Sequence, residues 1–192
     1  MRLTKKGEYA LRCLISLGVA KEFGKDLVSV SELAQAERIP FKFLEGILAD
    51  LRGAGFVESQ RGKHGGYRLA RPAAKIKVGD VVRLIDGKLA PIGCASETAY
   101  EPCSCPDEQH CGLRMLMIDV RNAIAGILDR YTLAEIVEIT LMKLRRHGRL
   151  PAVASDGVAA ATPSAKATKG RHADPRDGFL AIWNQLTREV RA

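Results

Sequence analysis

No stretch of this chain approaches the roughly 20 consecutive apolar residues that a membrane-spanning helix requires, because charged residues interrupt every candidate. A membrane-embedded protein is therefore not expected. The opening Met1-Arg2-Leu3-Thr4-Lys5-Lys6 is basic but runs into Gly7-Glu8 instead of a long apolar segment. No signal peptide is visible, so a cytoplasmic location is expected. A phosphate-cradling glycine loop is missing, as is any nucleophile–base pairing at recognisable spacing, which argues against an enzyme. The five cysteines include no C-x2-C pair of the kind that builds a zinc ribbon.

What the chain does have is positive charge. Its 192 residues carry a formal net charge of +8 and a pI near 9.4, a balance that favours a polyanionic partner. Hydrophobic residues make up 46% of it, enough to bury a core. In a reducing compartment, five cysteines point to metal binding or redox sensing more than to structural disulfides.

The hydrophobic spacing predicts a mainly α-helical fold with one small β-hairpin. Tyr9, Ala10, Cys13, Leu14 and Leu17 recur at helical intervals, with Cys13 as a small core residue. Ser29-Val30-Ser31-Glu32 is a capping box that opens a short helix, which must stop near Ile39 ahead of a proline. Pro40 suits the first turn of the next helix, with Phe41, Leu44, Leu48 and Leu51 as its apolar stripe and Gly53 and Gly55 as its stop. Two short helices joined by a tight turn make a helix-turn-helix pattern. Phe56–Gln60 and Tyr67–Ala70 read as strands around the loop Arg61-Gly62-Lys63-His64-Gly65-Gly66. A basic hairpin after a helix-turn-helix is a wing, and Arg61, Lys63 and His64 place donors at its tip.

Further along, Val78, Val81, Val82 and Ile85 predict a short helix closed by Gly87. Leu113, Leu116, Met117, Val120, Ile124, Ile127, Leu128 and Tyr131 then repeat over about five turns. Arg114, Asp119, Arg121, Asp129 and Arg130 fall on the other side. So long an apolar face exceeds what the DNA-binding part can cover, and it reads as a dimerisation helix. Thr132-Leu133-Ala134-Glu135 caps one more helix. The expected organisation is a winged helix-turn-helix domain over 1–72, a cysteine-loop sensor and dimerisation region over 73–148, and a flexible tail over 149–192. That tail is rich in alanine, glycine, proline, serine and threonine. Phe179, Ile182, Trp183, Leu186 and Val190 suggest a short helix at its end.

Cys94, Cys103, Cys105 and Cys111 lie in a segment broken by Pro91, Gly93, Pro102, Pro106 and Gly112, so the thiols are free to converge. Thiolates are the preferred ligands of zinc and of iron–sulfur clusters, and the C-x8-C-x-C-x5-C spacing counts against structural zinc. Cys111 also sits where the long helix begins, and backbone N–H groups there favour a thiolate or an anionic cluster. The acids Glu97, Glu101, Asp107 and Glu108 oppose this by raising the thiol pKa values, a repulsion that a metal offsets. His110 adjoins Cys111 and reads as a solvated loop residue.

Taken together, these residues resemble the IscR/NsrR/RirA type (the Rrf family) of bacterial transcription regulators. The likeness is carried by Met1-Arg2-Leu3-Thr4-Lys5 with Tyr9-Ala10-Leu11, Phe43-Leu44-Glu45, Leu51-Arg52, Gly55-Phe56-Val57 and the wing with Gly65-Gly66-Tyr67-Arg68-Leu69. Val78-Gly79-Asp80-Val81-Val82, the cysteine loop and Thr132–Glu135 extend it. It covers roughly residues 1–147. The resemblance implies a homodimer with crossed long helices, a 2Fe–2S or 4Fe–4S cluster on three loop cysteines, and a response to iron, nitric oxide or redox state. Of the two clusters, 2Fe–2S is preferred here. Cys94 and Cys111 match the outer ligands, and Cys103 and Cys105 compete for the middle place. The histidine some relatives place three residues after the last cysteine is Arg114 here, which cannot ligate. Glu8 matches the acidic ligand that others take from the opposite subunit. The same resemblance places the second short helix, 40–52, in the major groove of double-stranded DNA. Lys42 and Glu45 would then face bases or phosphates and Arg52 the backbone, with Tyr67 shaping the wing. A dimer of this kind prefers a near-palindromic operator. Two rivals are zinc or direct thiol oxidation in place of the cluster, and a small ferredoxin-like electron carrier, for which the wing would have no use.

Overall fold

The structure is a computed structural model that describes residues 3–62 and 65–146. Lys63 and His64 at the wing tip, the tail from 149 and its suggested terminal helix lie outside the described residues. The chain divides into two units inside its last described helix, after Ile136. Every contact discussed below lies within the first unit.

Local sequence signals set most of the element boundaries. Thr4 caps α1 (Lys5–Glu22) by accepting from the Gly7 amide at 3.0 Å. Ser29 and Glu32 form the reciprocal capping box of α2 (Val30–Glu37), and the turn after it puts Arg38 at φ 53°. Pro40 occupies the cap position of α3 (Phe41–Gly53). The hairpin pairs β1 (Val57–Gln60) with β2 (Gly66–Leu69) in antiparallel register, Val57 opposite Leu69 and Gln60 opposite Gly66. Val28 adds an isolated antiparallel bridge on the other edge of β2, exchanging both backbone hydrogen bonds with Tyr67 at 3.0 and 2.8 Å. A single bridged pair has no period, so nothing in the sequence announces it.

The core of the helix-turn-helix and hairpin joins Ala10, Cys13, Leu14 and Leu17 of α1 to Leu33 of α2 and Leu44, Ile47, Leu48 and Leu51 of α3, closed by Phe56, Val57 and Leu69 of the hairpin. One expectation is corrected here. Phe41 is exposed, and Ile47 takes its place in the stripe. At 100° per residue Ile47, Leu51, Leu44 and Leu48 span an arc of about 100°, and Phe41 falls just outside its edge, in the first turn.

A one-turn 3-10 segment (Ala73–Lys75) leads into α4 (Val78–Asp86), which Gly87 ends at φ 78°. Helix α4 fits closely against two neighbours. At its C-terminal end Asp86 accepts from the Thr4 amide and hydroxyl at 3.0 and 2.5 Å, and a Cβ on Gly7 would lie 2.6 Å from that carboxylate. At its start Gly79 leaves room for Asp129 of α5 (Gly112–Arg130), held in a two-bond fork by Arg83 at 2.7 and 2.6 Å. Thr132 and Glu135 form the expected capping box of α6 (Leu133–Arg146).

Helix α5 leaves its apolar stripe uncovered by its own chain. It has no buried residue, and Leu113, Met115, Leu116 and Ile127 are each more than half exposed. Arg114, Arg121 and Asp129, on the other side from that stripe as expected, turn toward their own chain.

Candidate functional site

Two groups of predicted residues stand in well-defined settings. The first is the outer surface of α3 with the wing. Lys42 reaches into solvent, its side chain 93% exposed, and pairs with Glu45 one turn on at 3.4 Å. Arg52 donates to Ser59 on β1 at 3.3 Å, linking the end of α3 to the wing. Arg61 is exposed beside the tip. Tyr67 is half-buried and fixes the root of the wing through its two bonds to Val28.

Arg68 was missed by sequence reasoning as a functional residue. It donates to Glu58 across the hairpin and to Asp26 at 2.8 Å, bracing the wing against the connection between α1 and α2. The bond to Asp26, followed by that to Glu58, raises its pKa further. Its partner lies 42 residues away, beyond the reach of any local pattern.

Glu8 stands on α1 between two cations, Lys5 at 2.7 Å and Arg12 at 3.3 Å. The bond to Lys5 is the chief reason its carboxyl titrates below the usual range. It is thus held in the ionised form that a metal ligand needs, although the same cations compete for it.

The second group is the cysteine loop. A 3-10 turn at Gly93–Ala95 buries Cys94 and Ala95. Two arginines of α5 hold this turn by its carbonyl groups: Arg114 donates to Cys94 O at 3.0 Å and Arg121 to Ala95 O at 2.8 Å. Arg114 also pairs with Glu108 at 3.2 Å, and Glu108 accepts from the Tyr100 hydroxyl and the Cys103 thiol, the latter at 3.7 Å. These contacts were not legible either, because a helical arginine next to an apolar stripe reads as solvated. His110 is tied to Asp107 at 2.8 Å and its side chain is 81% exposed, in keeping with its reading as a loop residue.

The four loop thiols adjoin in sequence order. Cys94 neighbours Cys103, and Cys105 neighbours both Cys103 and Cys111, near enough for each pair to influence the other's ionisation. Burial, then the neighbouring Cys103, pushes the Cys94 thiol up. The adjoining Cys103 thiol pushes Cys105 up to about 11. Such thiols stay protonated near neutrality unless a cation offsets the crowding of their thiolates. Cys111 caps α5 without a side-chain bond, so the helix presents its first amide groups beside that sulfur. Among the described residues no three histidine, cysteine, aspartate or glutamate side chains are gathered around one point as ligands of a single metal ion. The chemistry of the donors nonetheless suits a cluster: soft sulfurs each near the next in the series, a helix N-terminus, and no structural-zinc spacing. Cys13 stands apart, buried in α1, and desolvation pushes its thiol up to about 12.

Among the described residues no helix is long and apolar enough to cross a membrane. The Rrf2 family model, described as an iron-dependent transcriptional regulator, matches residues 3–139. The chain is 36% identical over 137 residues to Protein rrf2 of Nitratidesulfovibrio vulgaris, covering 71% of this chain and 87% of that protein. It is 35% identical over 138 residues to the HTH-type transcriptional regulator NsrR of Geobacillus kaustophilus, covering 72% and 90%. Among solved structures it is similar to CymR, titled the global cysteine regulator of B. subtilis. That likeness has a TM-score of 0.60 and 29% identity, over 72% of this chain and 97% of that one.

Proposed function

The chain belongs to the Rrf2 family of transcriptional regulators, which are not enzymes, and from that premise we propose a cytoplasmic, homodimeric sensor that binds a near-palindromic DNA operator and carries a cysteine-ligated iron–sulfur cluster. The signal it reports is iron, redox state or nitric oxide. The observation that carries this reading is the unbroken series of thiols from Cys94 to Cys111 at the start of α5.

Cys94 and Cys111 would hold the outer positions of a 2Fe–2S cluster, with Cys103 or Cys105 between them. The fourth donor is either the remaining cysteine or Glu8 of a second copy. When bound, such a cluster supplies electron transfer and ligand exchange. The chain's own residues do the rest. Arg114 and Arg121 fix the Cys94 turn on α5, and the exposed apolar side of α5 meets a second copy. Lys42, Glu45 and Arg52 serve the major groove, while Arg61, Lys63 and His64 serve the wing contact, with Tyr67 at its root. A change at the loop repositions α5 and with it the two DNA-binding units.

The structural likeness to a global cysteine regulator favours a second reading, in which zinc or direct thiol oxidation replaces the cluster. Anaerobic purification separates the two. The cluster reading expects visible absorption with iron and sulfide in equal amounts, lost on replacing Cys94 or Cys111 by alanine. Colourless protein that refuses reconstitution sinks it, and bound zinc would then favour the alternative. Operator binding should weaken steeply between 50 and 200 mM salt, as roughly several phosphate contacts require.

A further inference from the structure

The first turn of α3 carries two phenylalanines that the chain leaves substantially open, Phe41 at 45% and Phe43 at 42% exposure. Phe43 has a partner: its ring meets Tyr9 of α1 edge-on, with centroids 5.8 Å apart. Phe41 needs a different explanation. An apolar residue at a helix start often serves as a staple between the residue before the cap and the fourth residue of the helix. Ile39 and Leu44 already fill those places around Pro40, and both are buried. Closing the helix therefore does not require Phe41.

Its surroundings point outward. Glu45, four residues on, stands on the same face of α3. Lys42, beside it, is almost wholly exposed and pairs with that glutamate. These three side chains form one patch at the leading end of the second helix of the helix-turn-helix, the end whose residues meet base edges in the major groove. A phenyl ring cannot hydrogen-bond to a base edge. It can bury the one apolar group the major groove displays, the 5-methyl of thymine.

We infer that Phe41 reads a thymine methyl group in each half-site, beside the polar contacts of Lys42 and Glu45. The inference rests on the DNA-binding reading above and adds a base preference to it. The test begins with duplexes selected from a random-sequence pool by the full-length protein. Each thymine is then replaced, symmetrically in both half-sites, by deoxyuridine, which deletes the methyl and nothing else. At one symmetric pair of positions the wild-type protein should lose about fourfold in affinity per half-site, the worth of one buried methyl group. Phe41→Ala should bind the thymine duplex more weakly and be indifferent to deoxyuridine at that pair, with Phe41→Leu in between. Indifference of the wild type to every replacement overturns the inference, and so does a Phe41→Ala protein that keeps the same penalty. The wild-type series decides even if the alanine variant folds poorly. Selection of no duplex at all would instead overturn the DNA-binding reading beneath it.

Discussion

Alanine at Gly79 should destabilise the protein, yet the same change should stabilise it once Asp129 is gone. A Cβ at Gly79 would lie 1.9 Å from Asp129 Oδ1 and 2.9 Å from an Arg83 terminal nitrogen. Asp129 cannot swing away freely, since both its oxygens accept from Arg83 at 2.7 and 2.6 Å. Displacing it forfeits two charge-assisted bonds, each worth about 1.5–3 kcal/mol when well shielded. The two side chains are 30% and 36% exposed, and solvent screening brings the pair to about 2 kcal/mol. Alanine in a helix offsets this by about 0.5–1 kcal/mol relative to glycine. The net loss is about 1 kcal/mol. With Asp129→Ala in place the severe clash is gone and Arg83, released from its fork, can turn its flexible end aside, so the same substitution should add about 0.5–1 kcal/mol. Urea unfolding of the four proteins at one fixed concentration measures the cycle, because self-association contributes to apparent stability. A Gly79→Ala change of equal sign and size in both backgrounds would refute the close-fitting account of the α4–α5 crossing.

Three further outcomes follow from the same residues. Leu116→Glu or Ile127→Glu should leave the chain folded but monomeric in sedimentation velocity, and should weaken operator binding by about 10²-fold or more as the two half-sites cease to be held together; a stable dimer in either variant places the interface elsewhere. Arg83 holds the Asp129 carboxyl below its ordinary value, so the pair contributes stability that is complete above the unfolded pKa and lost as pH falls through the folded one. The stability gap between wild type and Asp129→Asn should therefore be constant above about pH 4 and close in acid, and a gap that persists in acid contradicts that assignment. Arg121 is only 13% exposed and donates to the Ala95 carbonyl. Its replacement by alanine should lower stability by about 1–2 kcal/mol and speed iron loss from anaerobically purified protein; unchanged iron retention would show that the Cys94 turn does not depend on it.

Features encoded within a few residues are legible in the sequence. Both capping boxes and the stop at Gly87 depend on neighbours three or four positions apart, and the hairpin on two short segments around one glycine-rich loop; each formed within a residue of where expected. The cysteine loop was legible as a cluster of thiols, but the arginines that hold it were not. Periodicity locates a stripe on a helix without saying whether that stripe meets its own chain or another. On α5 it left unstated that Arg114, Arg121 and Asp129 face inward. Phe41 was misplaced for a related reason. It lies near enough to the Leu44 row to be counted in, and only the packing of Ile47 shows that the row is complete without it. The pairing of Arg68 with Asp26 and of Tyr9 with Phe43 joins residues too distant in sequence for any window to connect.

The two close fits on α4 bear on how a sensor of this design can work. Gly79 admits Asp129 from α5, and Gly7 of α1 admits Asp86, so at neither crossing is there space for the helices to slide together. Packed contacts of this kind have discrete arrangements and do not deform smoothly. The Cys94 turn is pinned to α5 by Arg114 and Arg121, and α5 is pinned to α4 by the Arg83 fork. A rearrangement of the loop must then either break one of these polar links or move α5, α4 and α1 as a body. Since α5 also carries the face proposed to meet a second copy, the second course changes the angle between the two recognition helices without altering either one. Specificity for each half-site would stay the same, and the signal would be expressed in how well two half-sites are reached at once.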